Sequence, residues 1–313
     1  MINDLQIEKE NQTTLYIIVL SGLSDLPSLQ LPLFLVFLLV YLMTLTGNLL
    51  IVLLVSTNSL LQTPMYFFLG TLACLDIGYS SAIIPRMLFD LHTQKWIISL
   101  QECITQIYFF FLFGVSEVSL LAVMSYDRYV AICHPLHYTQ IMHWKACVKL
   151  VSGVLMLGIV CSMVHSVFLI KITICSSNTL ESFFCDLPQL IRVSCSDTFI
   201  NVLLIIFLVI LLGIFIFVIT FCPYIIILST VIKIQSTQNR SKAFSTCSSH
   251  LLVIFIFYGA GFFNYLDIKA AKSRVVSIFY AVLTPLLNPL IYSIRNQDIK
   301  QILTKNIKGQ LYP

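Results

Sequence analysis

The sequence is poor in charge, since only 10% of its 313 residues are Asp, Glu, Lys or Arg while 58% are hydrophobic. A soluble domain carries about 25% charged residues. Because so few polar groups do not cover a globular surface, the composition predicts a chain whose solvent is largely lipid. The net charge of +4 is small, and the Lys and Arg residues are scattered along the sequence. Without a basic stripe, the sequence indicates no nucleic-acid partner.

Catalytic and transport signatures are also missing. The sequence has no Gly-rich phosphate loop, no nucleophile elbow and no His and Cys set at metal-binding spacing. His134 and His137 form a pair without a third ligand. We therefore expect that the chain is not an enzyme. It also lacks an internal repeat, which disfavours a transporter built from inverted halves.

The amino terminus lacks a basic segment followed by a short apolar core, and Met1–Glu10 is polar and acidic. This pattern predicts no cleaved signal peptide. We expect residues 1–30 to form an extracellular tail in which Asn11, of Asn-Gln-Thr, accepts a glycan. A second acceptor tripeptide begins at Asn239, and only one of the two can be lumenal in a chain with seven spans.

Long apolar segments are what the sequence has in abundance. Runs of about 20 apolar residues predict membrane helices, and seven are present, near 31–55, 64–88, 101–126, 147–170, 200–231, 243–266 and 276–294. Asp76, Pro85 and Arg86 interrupt the second run. The sequence thus predicts an all-α membrane protein, a single seven-transmembrane helix bundle over 1–313 with a cytoplasmic tail at 295–313.

Cysteines indicate the orientation, which the nearly even division of Lys and Arg between the two sides does not. Four of the ten cysteines cluster on one side of the bundle, at Cys103, Cys175, Cys185 and Cys195. Their even number and regular spacing favour disulfides in an oxidising compartment over free thiols. Four cysteines allow three pairings, and the spacing does not choose among them.

Six motifs resemble those of odorant receptors, a family within the rhodopsin-like (class A) G-protein-coupled receptors. The most specific is Met-Ser-Tyr-Asp-Arg-Tyr-Val-Ala-Ile-Cys at 124–133. The others are Gly47-Asn48, Pro-Met-Tyr-Phe-Phe-Leu at 64–69, His-Pro-Leu-His-Tyr at 134–138, Lys-Ala-Phe-Ser-Thr-Cys at 242–247 and Pro-Leu-Leu-Asn-Pro-Leu-Ile-Tyr at 285–292. They occur in the family's order, and the pattern is most similar to the tetrapod-type (class II) branch.

The resemblance implies disulfides Cys103–Cys185 and Cys175–Cys195. It also implies a small, mostly apolar volatile ligand in the outer half of the bundle and a stimulatory (olfactory-type) heterotrimeric G protein that raises cyclic AMP. The expected location is the plasma membrane of sensory cilia of olfactory neurons. The alternatives are a non-olfactory rhodopsin-like receptor for a lipid or other small apolar ligand and, in a different class, a membrane transporter.

Helical spacing predicts that Phe110, Gly114 and Glu117 share one face of the third span. Taken with the resemblance, the expected ligand-binding residues are Phe110, Phe111, Gly114, Val115, Phe207, Tyr258, Phe262 and Tyr265, although aromatic stripes are more often packing. Phe110 stands where amine receptors carry Asp, which predicts a neutral ligand. His165 is expected to be a satisfied core histidine, with a polar contact to the ligand as the alternative.

Asp76 and Glu117 are carboxyl groups in two membrane spans, so they are expected to share a proton or a cation. The resemblance implies a possible sodium site there, completed by Asn48 and Asn288; a hydrogen-bonded cluster without an ion is the alternative. Otherwise no cofactor is expected.

The resemblance also implies a two-state switch that faces the G protein. Its residues are Asp127, Arg128, Tyr129, Asn288, Pro289 and Tyr292. Pro223 departs from the family pattern and is expected to bend the fifth span.

A short amphipathic helix is expected after the seventh span. Ile299, Ile302, Leu303 and Ile307 share one helical face. Such a face is typical of a helix that lies on the inner leaflet, which makes membrane lipids a partner.

Overall fold

The computed structural model of the protein describes residues 17–24, 26–174, 178–233, 240, 247–248, 251–256, 258–259, 278–295, 299 and 302. For residues 209–211, 279–280 and 292–295 it describes the backbone alone. Four predicted functional residues, Asn11, Cys175, Phe262 and Tyr265, lie outside the described residues.

Long helices form almost all of the described chain. The first five are α1 (Pro27–Thr57), α2 (Pro64–Thr93), α3 (Leu100–Cys133), α4 (Trp144–Leu169) and α5 (Phe199–Ile232). Each is long and apolar enough to cross a membrane. The described parts of α6 are 251–256 and 258–259, and α7 comprises a π-helical turn at Phe279–Leu283 followed by Thr284–Arg295. The architecture is the predicted seven-transmembrane bundle.

The helices extend beyond the predicted spans. Helix α1 begins at Pro27, because a proline at the first helical position gives up a donor that has no acceptor there. Helix α3 continues to Cys133 rather than 126, so Asp127 and Arg128 lie inside the helix. Helix α2 runs unbroken through Asp76, Pro85 and Arg86, because the polar side chains have partners described below. Helix α5 likewise continues through Pro223.

A small β-sheet, absent from the all-α prediction, connects the amino-terminal segment to two loops. Its strands are β1 (Ile17–Leu20), β2 (Ile97–Ser99) and β3 (Thr179–Leu180), in the order β2-β1-β3. Ile18 pairs antiparallel with Ile98, and Leu20 pairs parallel with Leu180. Part of the predicted tail is therefore a structured strand, whose alternate residues Ile18 and Leu20 are buried.

The disulfide Cys103–Cys185 joins the start of α3 to the segment after β3, with the two Cα atoms 5.4 Å apart, as predicted. Cys195 is also disulfide-bonded, and its predicted partner Cys175 lies outside the described residues. We call the end of the bundle that carries the sheet and the disulfide the outer end, because disulfides form in oxidising compartments. The opposite end is the cytoplasmic end.

The described core consists of three hydrophobic clusters, of which one packs α1, α2 and α7 against the loop after β3, with Ile83, Phe184 and Val282 among its buried members. The outer cluster packs the strands against the start of α3 and the end of α4, with Ile18, Ile98 and Leu169 among its buried members. The inner cluster lies between α1, α2, α3, α4, α5 and α6. Ile299 and Ile302, three residues apart and both helical, are buried in the inner cluster. The apolar side of this segment therefore faces protein at these two positions.

Candidate functional site

A buried polar centre joins α2, α3 and α7. The Asn288 side-chain amide donates to Asp76 Oδ1 at 2.8 Å and to Glu117 Oε1 at 3.0 Å. All three side chains are almost fully buried. Asp76 Oδ2 and Glu117 Oε2 accept no hydrogen bond from the described residues. The predicted association of the two carboxyl groups with Asn288 is therefore present, and each retains an acceptor oxygen.

Helix α1 supports the turn of α7 that contains Pro289. Pro289 has no backbone N–H, so the carbonyl of Pro285, one turn earlier, loses its helical donor. The Asn48 side-chain amide donates to this carbonyl at 3.1 Å and to Thr44 O at 3.0 Å. Gly47 lies against Pro289, where an added Cβ would sit 3.4 Å from the proline ring. The Gly-Asn motif of α1 thus fits the proline of α7.

An aromatic group lies in the outer half of the bundle, between α2, α3 and the loop that carries the disulfide. The ring of Phe110 lies 5.2 Å from that of Tyr79 and 5.9 Å from that of Phe184. Gly114 faces the same tyrosine, since a Cβ there would lie 3.4 Å from Tyr79. The predicted common face of Phe110 and Gly114 is therefore real, and it faces α2.

Other predicted ligand residues take different positions. The ring of Phe111 points toward α4 and lies 4.7 Å from that of His165, and Val115 packs against the outer cluster that contains Phe111. Tyr258 packs edge-on against Phe217 of α5 at 5.2 Å. Phe207 is 56% exposed and lies outside the outer cluster, so packing does not support its assignment to the pocket. Ligand contact stays a prediction for all of these residues.

The loop after β3 forms a cover that the sequence did not reveal. Phe183 and Phe184 are fully buried, and Phe184 reaches Phe110. Gln106 of α3 accepts from the backbone N–H of Cys185 at 2.9 Å and donates to Ala82 O of α2 at 3.1 Å. The Phe-Phe pair beside a predicted disulfide cysteine was the available signal, because a bridge to α3 draws the adjacent residues into the bundle.

Arg86 of α2 connects this helix to β2 and to the start of α3. Its Nε donates to both carboxylate oxygens of Asp90, at 3.0 and 3.2 Å, and its guanidinium also donates to the carbonyl of Ile97 in β2. Glu102 lies 3.7 Å away and forms a capping box with Ser99 at the start of α3. These contacts explain why Arg86 does not interrupt α2.

The Asp127–Arg128 pair lies near the cytoplasmic end of α3. Arg128 donates to Asp127 Oδ2 through Nε at 2.9 Å and also through Nη2. The hydroxyl of Tyr138, in the short helix Tyr138–Ile141, donates to Asp127 Oδ1 at 2.8 Å. Burial and the adjacent Asp127 carboxylate raise the pKa of Tyr138 well above its usual range, so its hydroxyl stays a donor. Tyr138 is thus a further partner of Asp127, and the sequence did not indicate it.

Two further predicted switch residues lie near the pair. The Tyr129 hydroxyl is 3.0 Å from His134 Nε2, which ties α3 to the loop that follows it. The backbone of Tyr292 is helical within α7. Tyr224 of α5, the residue after the unexpected Pro223, is buried in the inner cluster.

Comparisons with known proteins agree with this arrangement. The family model described as "Olfactory receptor" matches residues 37–309. Olfactory receptor 8G17 of Mus musculus is 46% identical over 96% of this chain and 100% of its own length. Olfactory receptor 8G1 of Homo sapiens is 44% identical over 96% of this chain and 97% of its own. The crystal structure of squid rhodopsin superposes with a TM-score of 0.68 at 18% identity, covering 93% of this chain and 88% of that one.

These findings decide among the alternatives raised by the sequence. The rhodopsin likeness shows the fold, and the relatives are receptors rather than enzymes or transporters. The protein is therefore a multi-pass receptor of the plasma membrane. With a family model and close relatives that each span most of its length, the chain belongs to the olfactory receptor family of G-protein-coupled receptors.

Proposed function

We propose that the protein binds a small, mostly apolar, neutral volatile in the outer half of the bundle and activates a stimulatory, olfactory-type G protein, raising cyclic AMP in sensory cilia. The observation that carries the proposal is the series of contacts that residues along α3 make with the rest of the bundle. Phe110 and Gly114 lie at its outer half, Glu117 joins Asp76 and Asn288 at its centre, and Arg128 lies near its cytoplasmic end.

A neutral ligand is supported by the buried side chains. Among the described residues, no buried polar side chain is Lys or Arg, so an acidic ligand would find no cationic partner there. Phe110 offers an ammonium ion only a cation–π contact of about 0.5–2 kcal/mol. Burying an unpaired charge is far more unfavourable than that contact is favourable.

The class of G protein is tested in a cell line that lacks stimulatory and olfactory Gα subunits. We expect a panel of neutral volatiles to raise cyclic AMP only when the receptor and one of these subunits are both restored. Cells that carry the subunit with the Arg128→Ala receptor at matched surface level are the control. Coupling only to an inhibitory Gα, or a response without any Gα, would contradict the proposal.

We also propose that a sodium ion binds at the polar centre and favours the resting state. Asp76, Glu117 and Asn48 would hold it, because each has a buried oxygen that no described residue supplies with a hydrogen bond, and oxygen ligands suit hard cations. We expect replacement of sodium by N-methylglucamine to raise the affinity of the wild type for an activating volatile. In Glu117→Gln, removal of sodium should leave the affinity unchanged. An equal rise in affinity in both receptors would contradict the proposed sodium site.

Inner-leaflet lipids are a further proposed partner. Lys300, Lys305 and Lys308 follow α7 in the sequence and supply positive charge near Ile299 and Ile302. Basic side chains beside a membrane attract anionic lipids. Charge reversal at the three lysines should lower the amount of phosphatidylserine that copurifies with the receptor, measured by mass spectrometry of the bound lipids.

A further inference from the structure

His165 lies on the buried face of α4, one turn before the outer end of the helix. The residue is only 2% exposed. Its ring packs on that of Phe111, with the centroids 4.7 Å apart and the planes inclined by 33°. The imidazole therefore lies beside Phe111, a predicted ligand-binding residue of α3.

The Nε2 atom of His165 is buried and finds no hydrogen-bond partner among the residues that the structure describes. Sequence reasoning expected a satisfied core histidine here, and this expectation is wrong at Nε2. A neighbour on the same face behaves differently, because the Ser162 hydroxyl donates to Gly158 O of its own helix at 2.7 Å. A hydroxyl on Cβ reaches the preceding turn, whereas an imidazole ring holds its distal nitrogen away from the backbone.

An unpartnered nitrogen at this place is unfavourable unless something pairs with it. Buried polar groups in native proteins are nearly always hydrogen-bonded. Ligand sites of membrane bundles are mostly apolar with a few polar groups that fix orientation. The surroundings of His165 match this pattern, since Phe111, Ile107 and Leu169 of the outer cluster are apolar and buried.

We propose that His165 is the polar contact for the odorant, with Nε2 forming a hydrogen bond to the oxygen of a ketone, aldehyde or alcohol while the carbon skeleton packs on Phe111. The inference rests on the proposed function, and it names the chemical class of the ligand and the residue that would bind its oxygen. A neutral imidazole carries one donor and one acceptor nitrogen. Alcohols therefore fit either tautomer, while carbonyl oxygens need the proton on Nε2.

The test compares a matched set of medium-chain ketones, alcohols and hydrocarbons that share one carbon skeleton. Cyclic AMP dose–response curves are recorded for the wild type and for His165→Phe, which keeps a ring and removes the hydrogen bond. We expect the half-maximal concentration of the oxygenated volatiles to rise roughly tenfold in His165→Phe, the effect of losing one hydrogen bond. His165→Gln should recover part of the loss, because its amide restores a donor and an acceptor.

Ser162→Ala is the matched control, since its hydroxyl is already bonded within α4, and its curves should equal those of the wild type. Surface level is measured for every variant by flow cytometry. If His165→Phe does not reach the surface, His165→Leu and His165→Asn provide the same contrast with smaller side chains.

The outcomes separate the inference from the function beneath it. A wild type that responds to no volatile in the set or the wider panel would reject the proposed function. A wild type that responds, with His165→Phe unchanged toward ketones and alcohols, overturns only the role of His165. A wild type that prefers the hydrocarbons overturns it as well.

Discussion

The two ends of this bundle are held together by different kinds of contact. At the outer end, the Cys103–Cys185 disulfide, a three-stranded sheet and the Arg86 contacts fix the loops to α2 and α3. At the cytoplasmic end, the described contacts around Arg128 are hydrogen bonds and an ion pair between side chains. The outer end is therefore fixed by a covalent bond, whereas the described contacts at the cytoplasmic end are side-chain hydrogen bonds that can break and re-form.

This difference indicates how a small ligand can act at a distance. A ligand shifts an equilibrium only by its differential affinity for the two states. Because the outer end is fixed, the ligand fits few arrangements of the helices. Its binding then favours one helix packing over the other. Side-chain hydrogen bonds at the other end can then break at modest free energy, because each contributes only about 0.5–3 kcal/mol.

The largest effect is expected from breaking the outer frame. Cys103→Ser removes a disulfide between residues 82 positions apart in the chain, and such a cross-link typically stabilises by about 2–4 kcal/mol. We expect most of the receptor to be lost from the cell surface, measured by flow cytometry. Cys74→Ser, which changes a free, exposed cysteine, is the control. A normal surface level of Cys103→Ser would show that the outer end does not depend on the bridge.

A smaller effect is expected from loosening the cytoplasmic end. Tyr138→Phe removes the hydroxyl that donates to Asp127, and hydrogen bonds to charged groups contribute about 1.5–3 kcal/mol. Because the bond holds the pair in the arrangement seen here, we expect basal cyclic AMP to rise several-fold at unchanged surface level. Tyr126→Phe, at an exposed tyrosine one residue before Asp127, should leave it unchanged. Equal basal cyclic AMP in Tyr138→Phe and the wild type would show that Tyr138 does not stabilise the resting state.

The smallest effect concerns the pH dependence of the outer end. Asp186 follows the disulfide cysteine, and its burial raises the pKa of the carboxyl group to about 7, although the backbone N–H of Leu187 lowers it. Between its usual pKa near 4 and about 7, the folded state binds more protons than the unfolded state. The contribution of Asp186 to the free energy of unfolding is therefore greatest below about pH 4. It falls as the pH rises toward 7 and does not change further above that pH.

Thermal unfolding of the purified receptor in detergent checks this dependence. The melting temperature of the wild type should be lower at pH 8 than at pH 5.5 by a few degrees more than that of Asp186→Asn. Identical pH profiles in the two proteins would mean that Asp186 titrates normally.

The sequence was sufficient for the seven spans, the Cys103–Cys185 bridge and the grouping of Asp76, Glu117 and Asn288. Apolar length carries the spans, whereas the resemblance to odorant receptors, and not cysteine number or spacing, carries the pairing of Cys103 with Cys185 and the grouping of the two carboxyl groups with Asn288. The strand Ile17–Leu20 escaped notice because four residues in a polar tail give no clear periodicity, and its pairing partners are distant in the chain.

The contacts that depend on loop placement were also beyond the sequence. Tyr138 reaches Asp127 only because the loop after α3 folds back as a short helix. Phe184 reaches Phe110 only because the bridge draws its loop inward. Phe207 was one of several candidate pocket residues in the fifth span, and α5 contains a π-helical stretch at Ile206–Leu212 around it. Regular helical spacing therefore does not define the face on which Phe207 lies, and its contact with the ligand stays a prediction.

Whether an odorant acts through the Asp127–Arg128 pair is decided most directly by the cyclic AMP response of Arg128→Ala to an activating volatile at matched surface level. We expect binding of the volatile to persist, measured with a radiolabelled form, while the cyclic AMP response is lost, because the outer site is intact and the cytoplasmic arginine is gone. An unchanged dose–response curve in Arg128→Ala would contradict the mechanism.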